Sequence, residues 1–283
     1  MLSNDSKIIN MIVSILAFII CYPLVFIFIG SFMSPTELGK NIESVIFDIE
    51  NNFPTWSFLP KFPTLKSYIE TLFDQPEFLT TFWNSIKIAV GVVVGQLVIG
   101  VPAAWGFARY VFPLKKLLFS LYIILMMLPF QTIMLSEYLV LNTFGLIDNL
   151  GAVILPGVFS TFPVFIMYNF FCRIPNGVIE AARLDGANEF QIFTKIGIPL
   201  GMPGIIAAMI LQFLEYWNVV EQPMLFFENK SLWTLSLYLP SIEYENINVI
   251  FAASLISIIP SLLIFSAGQK HLQSGIAATA VKE

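Results

Sequence analysis

The chain is 283 residues long, 57% hydrophobic and 12% charged, against roughly 25% charge in an ordinary soluble domain. Water is therefore not its main solvent, and a net charge of −5 with no basic run removes nucleic acid as a partner. Only Cys21 and Cys172 are present, both within apolar segments, which excludes a disulfide framework and a thiolate metal site.

A stretch of about 18 residues without Asp, Glu, Lys or Arg crosses roughly 30 Å of hydrocarbon as a helix. Six qualify, at 8–36, 88–108, 117–136, 149–172, 196–214 and 246–269, and together they predict an all-α polytopic membrane protein. Residues 1–7 read as a short cytoplasmic N-terminus and 8–33 as the first span. That span outruns the about 7 to 15 apolar residues of a signal-peptide core and has no small-x-small cleavage site, so it is expected to be retained.

Residues 34–81 follow as an extracytoplasmic loop. Glu37, Glu43, Asp48, Glu50, Glu70, Asp74 and Glu77 face three lysines there, a balance that suits a non-cytoplasmic side. Pro54, Pro60 and Pro63 predict irregular backbone. Thr64 then N-caps a helix with Leu65, Tyr68, Ile69, Leu72 and Phe73 on one face, a pattern for a helix lying flat at the outer interface. Covering the mouth of the spans and contacting a partner are both open roles for it.

The later spans are placed at 82–108, 117–138, 149–172, 200–222 and 246–269, with a cytoplasmic tail at 270–283. The stretch 231–242 is too short to span and is expected at a surface or folded back. Prolines lie inside or near the ends of all six spans, at Pro23, Pro102, Pro129, Pro156, Pro163, Pro203 and Pro260. Such breaks are tolerated where neighbours or a water-filled cavity satisfy the freed backbone, which makes them compatible with a transport path. Gly91 with Gly95 and Gly197 with Gly201 form GxxxG pairs that let helices approach closely.

Orientation follows from Lys and Arg. One set of connections holds Lys7, Arg109, Lys115, Lys116, Arg173, Arg183, Lys195, Lys270 and Lys282, and the other Lys40, Lys61, Lys66, Lys230 and, at a helix mouth, Lys87. Both termini and the 173–199 connection are therefore expected in the cytoplasm.

That connection is too long and too regular for a simple turn. Pro175 and Asn176 suit a helix start, Gly186 a break that needs positive φ, and Pro199 the return into the next span. Two short helices at an angle result. Val178, Ile179 and Ala182 give the first an apolar edge, while Glu180, Arg183 and Asp185 give it a charged one suited to a groove of another protein.

Here the sequence resembles a known family. Glu180-Ala181-Ala182, Gly186 and, after nine intervening residues, Ile196-Gly197-Ile198-Pro199 match the EAA-loop signature of binding-protein-dependent ABC importer permeases. Ile198 replaces the usual Leu, an apolar exchange. Asn84-Ser85, Ala108-Arg109, Phe112-Pro113, Leu128-Pro129 and Trp217-Asn218 resemble the carbohydrate branch, so the likeness covers a single permease domain at about 81–275.

The resemblance implies a type I importer fold, with two permease subunits lining the path, an ATPase subunit pair and an extracytoplasmic solute-binding protein, in the plasma (inner) membrane of a bacterial-type cell. It further implies that the EAA helix is the coupling helix. Glu180 would pair with a basic ATPase residue, Ala181 and Ala182 would permit close packing, and Gly186 would set the bend, with Arg183, Asp185 and Pro199 in the same element. The chain has no GxxxxGK[ST] phosphate cradle, so no cofactor is expected here, and ATP and Mg belong to the partner. It is not expected to be an enzyme.

Candidates for substrate contact are Gln131, beside the proline break of the third span, and Trp217, Asn218, Glu221 and Gln222 at the end of the fifth. Aromatic faces beside amides and carboxylates suit a sugar. The alternative places Trp217 in the interfacial aromatic belt, with the carboxylates reaching outer water. Glu215 stands where the family usually has a small residue. His271 is the only histidine and reads as membrane-flanking. The rival function is a gradient-driven secondary transporter, which would call for buried carboxylate or histidine relays. The central halves of the spans lack Asp, Glu, Lys, Arg and His.

Overall fold

A computed structural model describes residues 2–46, 59–243 and 246–280. The expected Asp48, Glu50 and Pro54 of the acidic segment, and Val281 and Lys282 of the tail, lie outside them. The chain divides into two compact units, Met1–Leu79 with Tyr238–Ile259, and Thr80–Leu237 with Pro260–Glu283.

In the first unit, α1 (Leu2–Gly30) is an apolar rod that ends where Gly30 meets the Phe251 ring, so close that a Cβ would lie 2.5 Å from it. A second helix, α2 (Pro35–Ile46), follows within the segment expected to be a loop. Lys66–Ile69 forms α3 and continues as a wide π turn, Glu70–Asp74. Thr64 Oγ1 accepts from the Lys66 N–H at 3.1 Å, but the helix starts one residue later than expected, with Leu65 rather than Thr64 at its N-cap and no side-chain cap bond there. The polar side turns inward: Ser67 and Thr71 are buried, whereas Leu65, Ile69 and Phe73 are exposed. Met33, Leu38 and Ile247 form a small core nearby.

The second unit holds the loop and the spans on either side of it. α4 (Pro76–Gly95, begun in the first unit) passes through a π turn, Gln96–Gly100, into α5 (Val101–Arg109). The expected third span is not one rod. α6 (Lys115–Met127) and α7 (Phe130–Thr143) meet at 107°. The cause is local: Leu128 is pushed extended (ψ 124°) by the proline after it, and Pro129 has no N–H to carry the helix on.

The fourth span is divided into α8 (Gly151–Val158) and α9 (Thr161–Cys172), with Ser160 extended between them and Pro163 just beyond. Carbonyls freed by this break are met by buried amides: Gln96 Nε2 donates to Ser160 O at 2.8 Å and Gly157 O at 3.3 Å, and Gln212 Nε2 to Gly157 O at 3.2 Å.

The connection folds as α10 (Asn176–Leu184) and α11 (Glu189–Ile192). The latter runs through a π turn, Phe193–Gly197, directly into α12 (Ile198–Trp217). Pro199 therefore marks no break. The Ile198 N–H reaches five residues back to Phe193 O, and the proline follows just after the widened turn, in the first turn of α12. The same device occurs in the second span, where Val101 N–H bonds Gln96 O just before Pro102. α12 ends at Trp217, short of the expected 222, and α13 (Glu221–Phe226) is separate. The short 231–242 stretch is broken into turns around α14 (Leu235–Tyr238) and is held by α4: Asn84 Nδ2 donates to Ser231 O at 2.8 Å, and Ser85 Oγ accepts from Leu235 N–H at 2.8 Å. The last helix is α15 (Ile247–Ala280).

The main core lies among α5, α9 and α12, around Trp105, Phe171, Ile205 and Ala208, and it receives Ile179 of α10 and Ile192 of α11. Close approach is made by glycines. A Cβ at Gly201 would lie 2.3 Å from the Phe171 ring, and one at Gly204 2.4 Å from the Phe170 ring.

Candidate functional site

The 173–199 loop is built by cap chemistry. α10 ends in a Schellman motif: Gly186 N–H donates to Arg183 O at 3.0 Å, Ala187 N–H donates to Ala182 O at 3.0 Å, and Gly186 adopts φ +84°. Two residues later Asn188 and Gln191 form a reciprocal capping box, with Gln191 N–H to Asn188 Oδ1 at 2.8 Å and Asn188 N–H to Gln191 Oε1 at 3.0 Å. Asn188 and Gln191 are absent from the expected residues, although their N-x-x-Q spacing carries the signal.

An ion pair closes the corner. Arg183 Nε lies 2.8 Å from Glu189 Oε1, and Tyr110 Oη donates to Glu189 Oε2 at 3.2 Å. The hydrogen bond and charge of Glu189 hold the Arg183 guanidinium above its ordinary range.

The apolar edge of α10 divides differently from expectation. Ile179 is buried and Ala182 packs against the core, so both serve the chain itself. The outward face is instead Val178, Ala181 and Leu184 at helical spacing, with Leu184 89% exposed, joined by Phe190 at 73%. Glu180, Asp185 and Gly186 are exposed beside it.

Arg109 is the residue that sequence reasoning passed over as a site. Its guanidinium donates to Phe171 O, to Ile174 O at 2.5 Å and to Asn176 Oδ1 at 2.9 Å, tying the end of α5 to the end of α9 and the start of α10. Its sequence signals are a lone cation closing an apolar span and the Ala108-Arg109 pair of the family resemblance, neither of which names its partners. A cavity of about 190 Å³ lies here, lined by Trp105, Arg109, Glu180, Arg183 and Glu189 among others.

A second cavity, about 310 Å³, lies beyond the other end of α12. Asn218, Glu221 and Gln222 line it together with Phe130, Glu215 and Tyr216. Gln131 joins through Glu221, its Nε2 donating to Oε1 at 2.7 Å. Trp217 does not line this cavity. It is 3% exposed and stacks on Phe213 with ring centroids 6.0 Å apart, and the aromatic wall falls to its neighbour Tyr216 and to Phe130.

Comparison with known proteins gives this geometry a family. The arabinooligosaccharides transport system permease protein AraQ of Halalkalibacterium halodurans is 30% identical over 270 residues, covering 94% of this chain and 93% of that one. The sn-glycerol-3-phosphate transport system permease protein UgpE of Brucella melitensis is 26% identical, covering 97% of both. A crystal structure of a bacterial ABC transporter involved in the import of the acidic polysaccharide alginate contains a chain of like fold, with TM-score 0.82, 24% identity and coverage of 95% of this chain and 96% of that chain. The pattern described as Binding-protein-dependent transport system inner membrane component matches residues 96–278, a span that takes in the loop and both cavities. With its long apolar helices and its relatives among sugar permeases, the chain belongs to this family of multi-pass ABC transporter permeases.

Proposed function

We propose that this chain forms half of the translocation pathway of an importer for a sugar or oligosaccharide and is moved by a partner ATPase through the 173–199 loop. The observation that carries this reading is the outward face of that loop. Val178, Ala181, Leu184 and Phe190 are turned away from the chain's own core on a corner braced by two caps and an ion pair. A rigid exposed apolar patch rimmed by Glu180 and Asp185 is an interaction surface. The energy source must be external, because the chain has no phosphate-binding loop, and ATP and Mg are assigned to an ATPase pair seated there.

Lys and Arg bias puts this corner and both termini in the cytoplasm and the Glu215–Gln222 cavity toward the outer face, where a solute-binding protein delivers its load. The second wall of the path is a second permease subunit. Saccharide chemistry agrees with the cavity lining and with the names of the relatives, which include arabino-oligosaccharide, glycerol-phosphate and alginate systems. Those names span neutral and anionic solutes.

The test uses two variants. Gly186→Val forces a branched residue into positive φ, and Glu180→Lys reverses the charge beside the patch. Both should insert in the membrane yet lose uptake and ATPase co-purification. Undiminished uptake and co-purification in both would overturn the coupling role.

A further inference from the structure

The cavity beyond α12 rests on the permease reading above but carries it further, to the charge of the solute. Its wall is mixed: Phe130 and Tyr216 supply aromatic surface, Asn218 and Gln222 amides, and Glu215 and Glu221 carboxylates. Its volume, about 310 Å³, is at the lower end of small-ligand sites. None of the lining residues is Lys, Arg or His. Glu221 is held by Gln131, whose amide orients the carboxylate without cancelling its charge. The ion pairs seen among the described residues, Lys66 with Glu70 and Arg183 with Glu189, involve neither cavity carboxylate.

We infer that this cavity is a saccharide subsite that selects by charge, admitting neutral and amino-bearing pyranoses and rejecting uronates and phosphorylated sugars. The chemistry is a surplus of acceptors. Sugar hydroxyls and an ammonium group donate to Glu215 and Glu221 while a pyranose face lies on Phe130 or Tyr216. A carboxylate or phosphate brings more negative charge and no donor. At about 5 Å and an effective dielectric between water and protein surface, one such repulsion is on the order of a tenfold loss of binding. Glu215 and Glu221 are the two carboxylates of the lining, so the selectivity rests on these two side chains.

The test takes the complex purified with its second permease and ATPase subunits in nanodiscs at low ionic strength. Galactose, galactosamine and galacturonate, which differ chiefly in charge, are titrated by saturation-transfer NMR. Galacturonate should bind about tenfold more weakly than galactose, with galactosamine equal or tighter, and the double substitution E215Q/E221Q should bring all three within about twofold. Equal binding of the three by the unaltered complex, a preference for galacturonate, a ranking that survives the double substitution, or no binding of any probe would each overturn the inference. ATP-driven uptake with the binding protein is measured in parallel. Its absence overturns the permease reading, whereas uptake with a flat charge ranking overturns only the selection by charge.

Discussion

Two apolar helices, both long enough to cross a membrane, differ in what they touch. Over its most apolar stretch Ile9–Gly30 is 0% buried, whereas Glu189–Trp217 is 50% buried. Both are apolar enough to cross and the exposed one is the more apolar, but residue size is what differs where they meet protein. Before Gly30 the first is mostly Ile, Leu, Val and Phe and has no glycine, while the second carries Ala207, Ala208 and three glycines, Gly197, Gly201 and Gly204, against which the rings of Trp105, Phe171 and Phe170 press. Between helices in lipid there is little hydrophobic gain, so close backbone approach decides packing. Length and composition thus say that a helix crosses, and small residues say which face meets protein.

The comparison can be broken at three places. The largest effect is expected from Gly201→Val. The new side chain overlaps the Phe171 ring between α9 and α12, which should cost about 3 kcal/mol and sharply lower the thermal midpoint in detergent. A wild-type midpoint would show that small residues do not set this packing.

Gln96→Leu comes next. It removes the amide that donates to Ser160 O and leaves Gly157 O to Gln212 and the Ser160 N–H, a loss of about 1–3 kcal/mol readable in a denaturant titration of the purified protein. An unchanged midpoint would mean that the break in the fourth span does not depend on that amide.

Leu16→Ala, on exposed α1, should shift the stability of the isolated chain by less than about 0.5 kcal/mol. A much larger shift in the assembled complex alone would sharpen the contrast, because it would show that this face is covered by another subunit.

Much of the fold was legible. Charge-free runs located the spans, and Pro175 and Gly186 marked the start and end of α10, because both positions have backbone needs that few residues meet. Proline was the less dependable sign. Leu128-Pro129 turns the chain through 107°, whereas Pro102 and Pro199 sit in helices that stay continuous because a π turn precedes each one.

The facing of side chains was harder to read. Tyr216 and Trp217 are adjacent, so they point about 100° apart on a helix, and in a segment apolar on every side no periodicity says which one reaches the cavity. Ile179 and Val178 pose the same problem on α10, where burial of one and exposure of the other depend on the core supplied by α5 and α9. Arg109 acts through three partners distant in sequence, and nothing local announces them.

The unbroken run from Glu189 to Trp217 has a mechanical meaning. Its 29 residues make a strut of roughly 40 Å, one end of which is clamped to Arg183 while the other stops beside Glu215 and Tyr216. News of a distant event need not pass from side chain to side chain along it. A tilt of roughly 5° at the clamp displaces the far tip by roughly 3 to 4 Å, about the width of a water molecule, so a single stiff body can register at one end what has been done at the other.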